Sequence, residues 1–342
     1  MRNVMRMATA TTARAVPLVA AMLLVAAACS SDGTDSETAG NEEAPSTTST
    51  TTTTTTVDEP DGSSDDGVEF EDLITARNEV LPDPDAIEAV ARAYCEAGNA
   101  PYEVDAMVAM MTDDVVIYDG PSAQRHEGLE AVRAYIEGIA LENETSECGP
   151  AVVGGDWVAG SYTLSSSGTG TGAEGISAVR VLDGKIDWHL AFYTATDTPR
   201  SPGDHSLRDD LSAALDYCLA FADPAHDPDV ILATMTAEPE IYGIPNNFSA
   251  VGADQVRTMI KNQLVPSDVN TCGDQTGDGP PTTLDHGGWQ AGSTSTVNKQ
   301  WGLWLEGVSV LEVVDDKVNR HFLNTTTFDG AEEFGDLWGV AD

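Results

Sequence analysis

Residues 185–197 read KIDWHLAFYTATD, and residues 317–329 read KVNRHFLNTTTFD. The echo runs back through most of the chain. GGDWVAGS at 154–161 matches HGGWQAGS at 286–293, and GLEAVRAYI at 128–136 matches GADQVRTMI at 252–260. Trp157 precedes His189 by 32 positions, as Trp289 precedes His321, and Tyr118 stands ten positions before Gly128, as Tyr242 does before Gly252. Register held over such distances marks two copies of one folding unit, so each copy must build its own core. The copies span 84–197 and 207–330, joined by the linker Thr198–His205.

Within a copy, the hydrophobic period predicts the elements. Ile87, Val90, Ala91 and Tyr94 give a helix over Pro84–Gly98 helical spacing. A short helix follows near Val104–Met111, then a strand at Val115–Asp119 and a third helix over about Gly128–Leu141. Strand-like runs come at 151–166, 175–182 and 186–195, with Asp183–Gly184 as a hairpin turn. This is an α+β pattern, in which three helices cover one face of a curved antiparallel sheet.

The segment before the repeats has another character. Arg2, Arg6 and Arg14 precede the apolar run Val16–Ala28, which is short for a bilayer span and suits a signal peptide. Cys29 follows it directly, in the manner of a lipoprotein signal (1–29) whose cysteine becomes the acylated N-terminus. Cleavage after Ala28 without lipidation is the competing reading. Residues 30–83, with their threonine tract at 47–56, contain too little apolar surface to offset ordering entropy, and read as a disordered tether. The expected location is therefore the cell surface, held only by an N-terminal lipid, or, on the competing reading, secreted.

The chain carries 16 basic and 57 acidic residues, a formal charge of −41. Such a surface repels nucleic acid and anionic headgroups, so neither is expected as a partner. Two cysteines fall in each repeat. In an exported protein the economical pairing is Cys95–Cys148 and Cys218–Cys272, with Cys29 the odd one out. The cysteines have no C-x-x-C spacing, so no metal site is expected on them, and nothing implies a cofactor.

The opening helix, the stretch TDDVVIYDGP, the G-x-x-A-V-R helix and the closing D-G-K-I hairpin together resemble SnoaL-like domains of the nuclear transport factor 2-like superfamily. The resemblance covers nearly all of the first repeat and, less sharply, the second. It implies two cone-shaped domains, each with an apolar pocket. The superfamily includes ketosteroid isomerases, limonene epoxide hydrolases, polyketide cyclases and many non-enzymes, so fold alone assigns no reaction.

Ketosteroid isomerases place a tyrosine on the first helix and an aspartate base after the first strand. Tyr94 and Asp119 match those positions, while Ser177 stands where a second acid would be. The acid that epoxide hydrolases carry on the last strand is replaced by Ala191 and Leu323. Strand alternation puts Asp187, His189, Ala191 and Tyr193 on one face, so His189 is expected to approach Asp119. The candidate catalytic residues are Asp119, His189 and Tyr94; the candidate ligand-binding residues are Tyr217, His321 and Trp157. Structural roles for the histidines, and core packing for Trp157 and Trp289, are the alternatives. Gly243 replaces Asp119 in the second copy, so any general base belongs to the first. The expected function is binding of a small apolar molecule. The alternatives are an isomerase or cyclase acting through Asp119, and a pseudo-dimeric scaffold in which domain 1 packs on domain 2.

Overall fold

The computed structural model describes residues 81–99, 102–142, 145–166, 172–203, 207–208, 212–223, 225–244, 248–263, 269–272, 283–298 and 303–328. The signal segment, Cys29 and the tether lie outside them.

In the first repeat, α1 (Pro84–Ala97) starts where the fixed φ of Pro84 suits a first helical turn. The Asp83 carboxylate there accepts from the Asp85 backbone N–H at 3.1 Å. The helix ends at Gly98, whose N–H returns to the Cys95 carbonyl. Next come α2 (Val104–Ala109), β1 (Met111–Asp119), β2 (Gln124–Glu127) and α3 (Leu129–Glu142). Four strands finish the unit: β3 (Thr145–Gly154), β4 (Trp157–Ser165), β5 (Gly172–Leu182) and β6 (Lys185–Thr196). The predicted run at 151–166 is thus the end of one strand and the whole of another, folded at Gly155, where φ is +59°. β2 is too short and too exposed to carry a readable apolar pattern.

The sheet order is β2-β1-β6-β5-β4-β3. Every neighbouring pair is antiparallel except β1 with β6, so the sheet is mixed. The parallel pair arises because the chain leaves β1 through β2 and α3 and returns to the other flank of β1 only after β3, β4 and β5. Asp183 and Gly184, both at positive φ, form the β5–β6 turn.

The second repeat repeats the plan. After β7 (Leu207–Arg208) come α4 (Ser212–Ala222), α5 (Pro228–Ala233), β8 (Met235–Ile244), β9 (Phe248–Val251) and α6 (Ala253–Gln263). Then follow β10 (Val269–Cys272), β11 (Thr283–His286), β12 (Trp289–Asn298), β13 (Leu303–Val314) and β14 (Lys317–Phe328). β10 and β11 both pair with β12, so together they occupy the place of β3. Again only one pair, β8 with β14, is parallel. Asp227 and Pro228 open α5 by the same cap as Asp83 and Pro84. Asp105 binds Arg133 from α2 to α3, and Asp229 binds Arg257 from α5 to α6. These exposed ion pairs link the helices in each repeat.

Three apolar cores result. One lies between the helices and sheet of repeat one, around Ile87, Ile117, Val132 and Ile186. Another is its counterpart in repeat two, around Ile231, Ile241, Val256 and Val318. The third joins the outer faces of the two sheets: Trp157, Leu190 and Phe192 meet Trp289, Val310 and Phe322. The turn at Gly155 sits against Glu306, and the turn at Gly287 sits against Glu174. A Cβ at Gly155 would lie 2.8 Å from the Glu306 side chain, and one at Gly287 2.4 Å from the Glu174 carbonyl oxygen. Thr194 donates to the Gly287 carbonyl at 2.7 Å, and Thr326 donates to Asp156 at 2.6 Å. Residue i meeting j while the repeat of i meets the repeat of j is the rule of a twofold interface. In the linker, Arg200 forks onto the Glu174 carboxylate at 2.7–3.1 Å.

Cys95 and Cys148 form a disulfide from the end of α1 to β3, with their Cα atoms 6.0 Å apart. Closing a loop of 53 residues stabilises the fold by about 4 kcal/mol on the chain-entropy model. Cys218 is also disulfide-bonded. The side chain of Cys272, its expected partner, lies outside the described residues.

Candidate functional site

On β1, Ile117 and Asp119 project to the helix-covered face, and in the parallel pair they register with His189 and Ala191 of β6. Asp119 is 6% exposed. Its Oδ2 accepts from the Ser122 hydroxyl at 2.8 Å and from the Tyr193 hydroxyl at 3.3 Å. Its Oδ1 is buried and has no partner. A buried polar oxygen left unpaired costs free energy on the order of 1–3 kcal/mol, more when charged, so its position calls for a reason.

His189 does not bond Asp119. The carboxylate lies two residues further along the strand, and α1 supplies the imidazole's partner: Tyr94 OH and His189 Nδ1 are 3.0 Å apart, with the rings edge to face. Burial holds the His189 pKa down at about 4, so the ring is neutral at pH 7. One proton serves this contact. If Nδ1 carries it, the Tyr94 hydroxyl is free to donate elsewhere; if Tyr94 donates to Nδ1, it is not.

Around this pair stand tyrosines that sequence reasoning passed over. Burial raises Tyr135, and the charge of Asp119 adds to the rise, as do Tyr193 and Tyr94. Burial likewise raises Tyr162, with Tyr135, Tyr193 and Asp119 contributing. Tyr102 is pushed up to about 12 by burial. Tyr94, Tyr102, Tyr135, Tyr162 and Tyr193 thus lie within electrostatic reach of one another or of Asp119. Tyr102, Tyr135, Tyr193 and His189 are only partly buried. His126, from β2, stacks on Tyr135 with centroids 4.2 Å apart. His126 Nε2 and Tyr102 OH are buried without partners, like Asp119 Oδ1. A signal for this site was present in the sequence, since six of the eight tyrosines fall in repeat one.

The matching space in repeat two is built differently. Tyr217 OH meets His321 Nδ1 at 2.8 Å, and His321 Nε2 meets Ser309 Oγ at 3.0 Å. Both residues are buried, Tyr217 at 2% and His321 at 6% exposure, and burial lowers the His321 pKa to about 3. Phe221, in register with Gly98, lies 4.9 Å from the Tyr217 ring and 6.2 Å from the His321 ring. Phe248 stands where repeat one has Gln124, and a Cβ on Gly243 would fall 1.9 Å from its ring. Tyr217 and His321, the expected ligand-binding pair, are buried against each other and against Phe221.

Two further placements differ from the sequence reading. Trp157, a candidate ligand platform, is buried between the two sheets, and its Nε1 donates to Thr326 of repeat two at 3.2 Å. Asp187 leaves the face of His189 because a bulge intervenes: Ile186 and Trp188 face opposite sides, and Asp187 pairs with Arg180. Among the described residues no group of His, Cys, Asp and Glu is placed to hold a metal ion.

No curated protein matches the chain. Among solved structures, it is similar to an NTF-2 like protein of unknown function from Burkholderia xenovorans. Identity is 19%, coverage 32% of this chain and 84% of that one, and the TM-score 0.29. A SnoaL-like protein of unknown function from Burkholderia thailandensis matches at 20% identity, over 33% of this chain and 98% of that one, with a TM-score of 0.29. The family model of the SnoaL-like domain matches residues 91–189, which run from α1 through the Tyr94–His189 pair. The first repeat is therefore a SnoaL-like domain, and the chain joins it to a second copy of the same topology.

Proposed function

We propose that the protein is an exported, lipid-anchored binding protein whose first repeat takes a small molecule beside Asp119 and its neighbouring tyrosines. One observation carries this reading. Asp119 is buried on the helix-covered face with an oxygen that no protein group among the described residues satisfies, and the second repeat has Gly243 in place of the acid with the Phe248 ring against it. A site that retains an unpaired polar atom in one copy, and closes over with phenylalanine in the other, is under a demand other than stability. Export is supported by the charged and apolar N-terminal signal and by a disulfide of the kind that persists in oxidising compartments. No helix among the described residues is long and apolar enough to cross a membrane.

The test is native mass spectrometry of the full chain from its own membrane, wild type against Asp119→Asn. A small molecule bound one per chain in the wild type and lost in the variant is the expected result. A wild-type protein free of small molecules, and unaffected by any compound in a metabolite screen, would refute the reading.

A second reading is kept because Asp119 and Tyr94 share the face. A carboxylate base and a phenol donor so placed suit proton transfer next to a carbonyl. Turnover of an enolisable ketone that disappears in Asp119→Asn would establish it.

A further inference from the structure

The two ends of the contact between the repeats are related by the internal symmetry, yet they are finished differently. At the end where the Gly155 turn seats on Glu306, the Trp304 and Phe328 rings pack with centroids 5.6 Å apart. Trp304 Nε1 donates to Glu306 there at 3.1 Å. At the other end Glu174 stands for Glu306, and the cross-strand pair Trp304–Phe328 is replaced by Gly172–Thr196. The linker makes good part of the loss. Pro199 Cγ lies 3.0 Å from where a Cβ on Gly172 would stand, and the Arg200 guanidinium takes the place of the indole N–H on the glutamate. The Phe328 ring has no such substitute among the described residues. Instead a cleft of about 350 Å³ opens beside Thr196, lined also by Glu174, Thr194, Thr198, Arg200 and the Gly287 turn. That volume falls within the range of small-molecule sites.

The lining groups define what the cleft can hold. Both Glu174 oxygens accept from Arg200, so the pair carries no net charge. The Glu174 side chain is 5% exposed and that of Arg200 63%, so a buried carboxylate fixes a guanidinium that is itself open to a partner. A guanidinium held in this way stacks on aromatic rings. Thr194 donates to the Gly287 carbonyl and can still accept, while Thr196 Oγ1 accepts from the Thr198 N–H at 3.2 Å and can still donate. The formal charge of −41 repels small anions.

We infer that this cleft binds a small uncharged phenol. Its ring takes the place that Phe328 fills in repeat two, against the Arg200 guanidinium, with its hydroxyl among Thr194, Thr196 and Thr198. Glu174 and Thr194 continue the outward alternation of Ile176 and Phe192, so the site lies on the sheet face opposite to Asp119. It is therefore tested apart from the function proposed above.

The experiment titrates the full chain calorimetrically with 4-hydroxybenzamide and with its saturated counterpart, 4-hydroxycyclohexanecarboxamide, both uncharged and soluble in water. The phenol should bind saturably at one site, and the saturated compound at least about fivefold more weakly. Thr196→Phe puts in the ring that repeat two carries and should abolish phenol binding. Arg200→Lys keeps a cation for Glu174 but removes the plane, and should bring the two compounds to within about twofold of each other. Asp119→Asn should leave the phenol affinity unchanged. Equal wild-type affinity for the two compounds would overturn the inference, as would the absence of binding. So would phenol binding that survives Thr196→Phe or is lost in Asp119→Asn. Thermal melts confirm that each variant is folded, and should Thr196→Phe not fold, Arg200→Lys and the wild-type ratio decide.

Discussion

Set in register, the two repeats keep the same frame and differ in what fills it. Caps, helix braces, sheet order, the parallel strand pair and the Tyr–His contact under the first helix all recur. The differences gather on the helix-covered face. Asp119, Gln124, Tyr135, Tyr162 and Tyr193 of repeat one become Gly243, Phe248, Met259, Thr294 and Thr325, while Gly98 becomes Phe221. Repeat two has thus exchanged an acid and three phenols for smaller or apolar groups, and packs Phe221, Phe248 and Met259 against its core. The Tyr–His contact survives in both, so it belongs to the frame: it satisfies two buried polar groups where the first helix crosses the sheet. The acid and the extra tyrosines survive in one copy only, and those are the groups to which function is best assigned.

The sharpest way to break this comparison is to move the acid. In Gly243→Asp, the new side chain meets the Phe248 ring and brings an unpaired charge into a closed core. The expected loss is about 4 kcal/mol, read from urea denaturation. Adding Phe248→Gln should recover part of that loss by removing the obstruction. If Gly243→Asp alone is neutral, repeat two is not packed shut and the contrast fails.

Acid titration tests the shared frame. His189 at about 4 and His321 at about 3 both lie below the ordinary value near 6.5 because burial disfavours the charged ring. The unfolded chain therefore takes up these protons first. The stability each ring contributes is complete above about pH 6.5 and is lost as pH falls towards 4 for His189 and 3 for His321. The loss is on the order of 3 kcal/mol for His189 and about 5 kcal/mol for His321. The difference in unfolding free energy between wild type and His321→Phe, followed from pH 7 to 4, should change steadily across that window. A difference that stays constant would show that the ring is not buried neutral.

The smallest effect concerns the acid in place. Asp119→Asn removes an unpaired buried charge and keeps an acceptor for Ser122 or Tyr193. It should leave stability unchanged or raise it by about 1 kcal/mol in the ligand-free protein. A loss of several kcal/mol would make Asp119 a structural residue and reverse the assignment drawn from the comparison.

Much of this was legible in the sequence, and the limits have physical causes. The repeat, the element order and the Asp183–Gly184 hairpin are local signals, written in spacing and turn chemistry. Asp119, His189 and Tyr94 could be named because alternation along a strand and helical periodicity assign faces. Asp187 was misplaced because a bulge adds a residue without changing the hydrophobic pattern enough to announce itself. Trp157 stood between a core and a ligand role because alternation tells which residues share a face, not what covers that face; here it is the other sheet. Tyr102, Tyr135 and Tyr162 escaped because they come from the segment before α2, from α3 and from β4, which are far apart in the chain. Their crowding into one repeat could have been counted, although counting would not have shown where they meet.

The reciprocal seating of Gly155 on Glu306 and of Gly287 on Glu174 has a consequence for how such a molecule can change. In a dimer of identical chains, every substitution appears twice, once on each side of the axis, so neither half can alter its site while the other keeps it. Here the same interface is met within one chain, and the tie through residues 198–205 keeps the halves together at any dilution. Each half is then free to mutate alone. One can serve as a permanent lid on the outer face of its neighbour's sheet, released from any duty to a ligand, while the neighbour keeps an unpaired acid that a solitary domain would have to stabilise by itself.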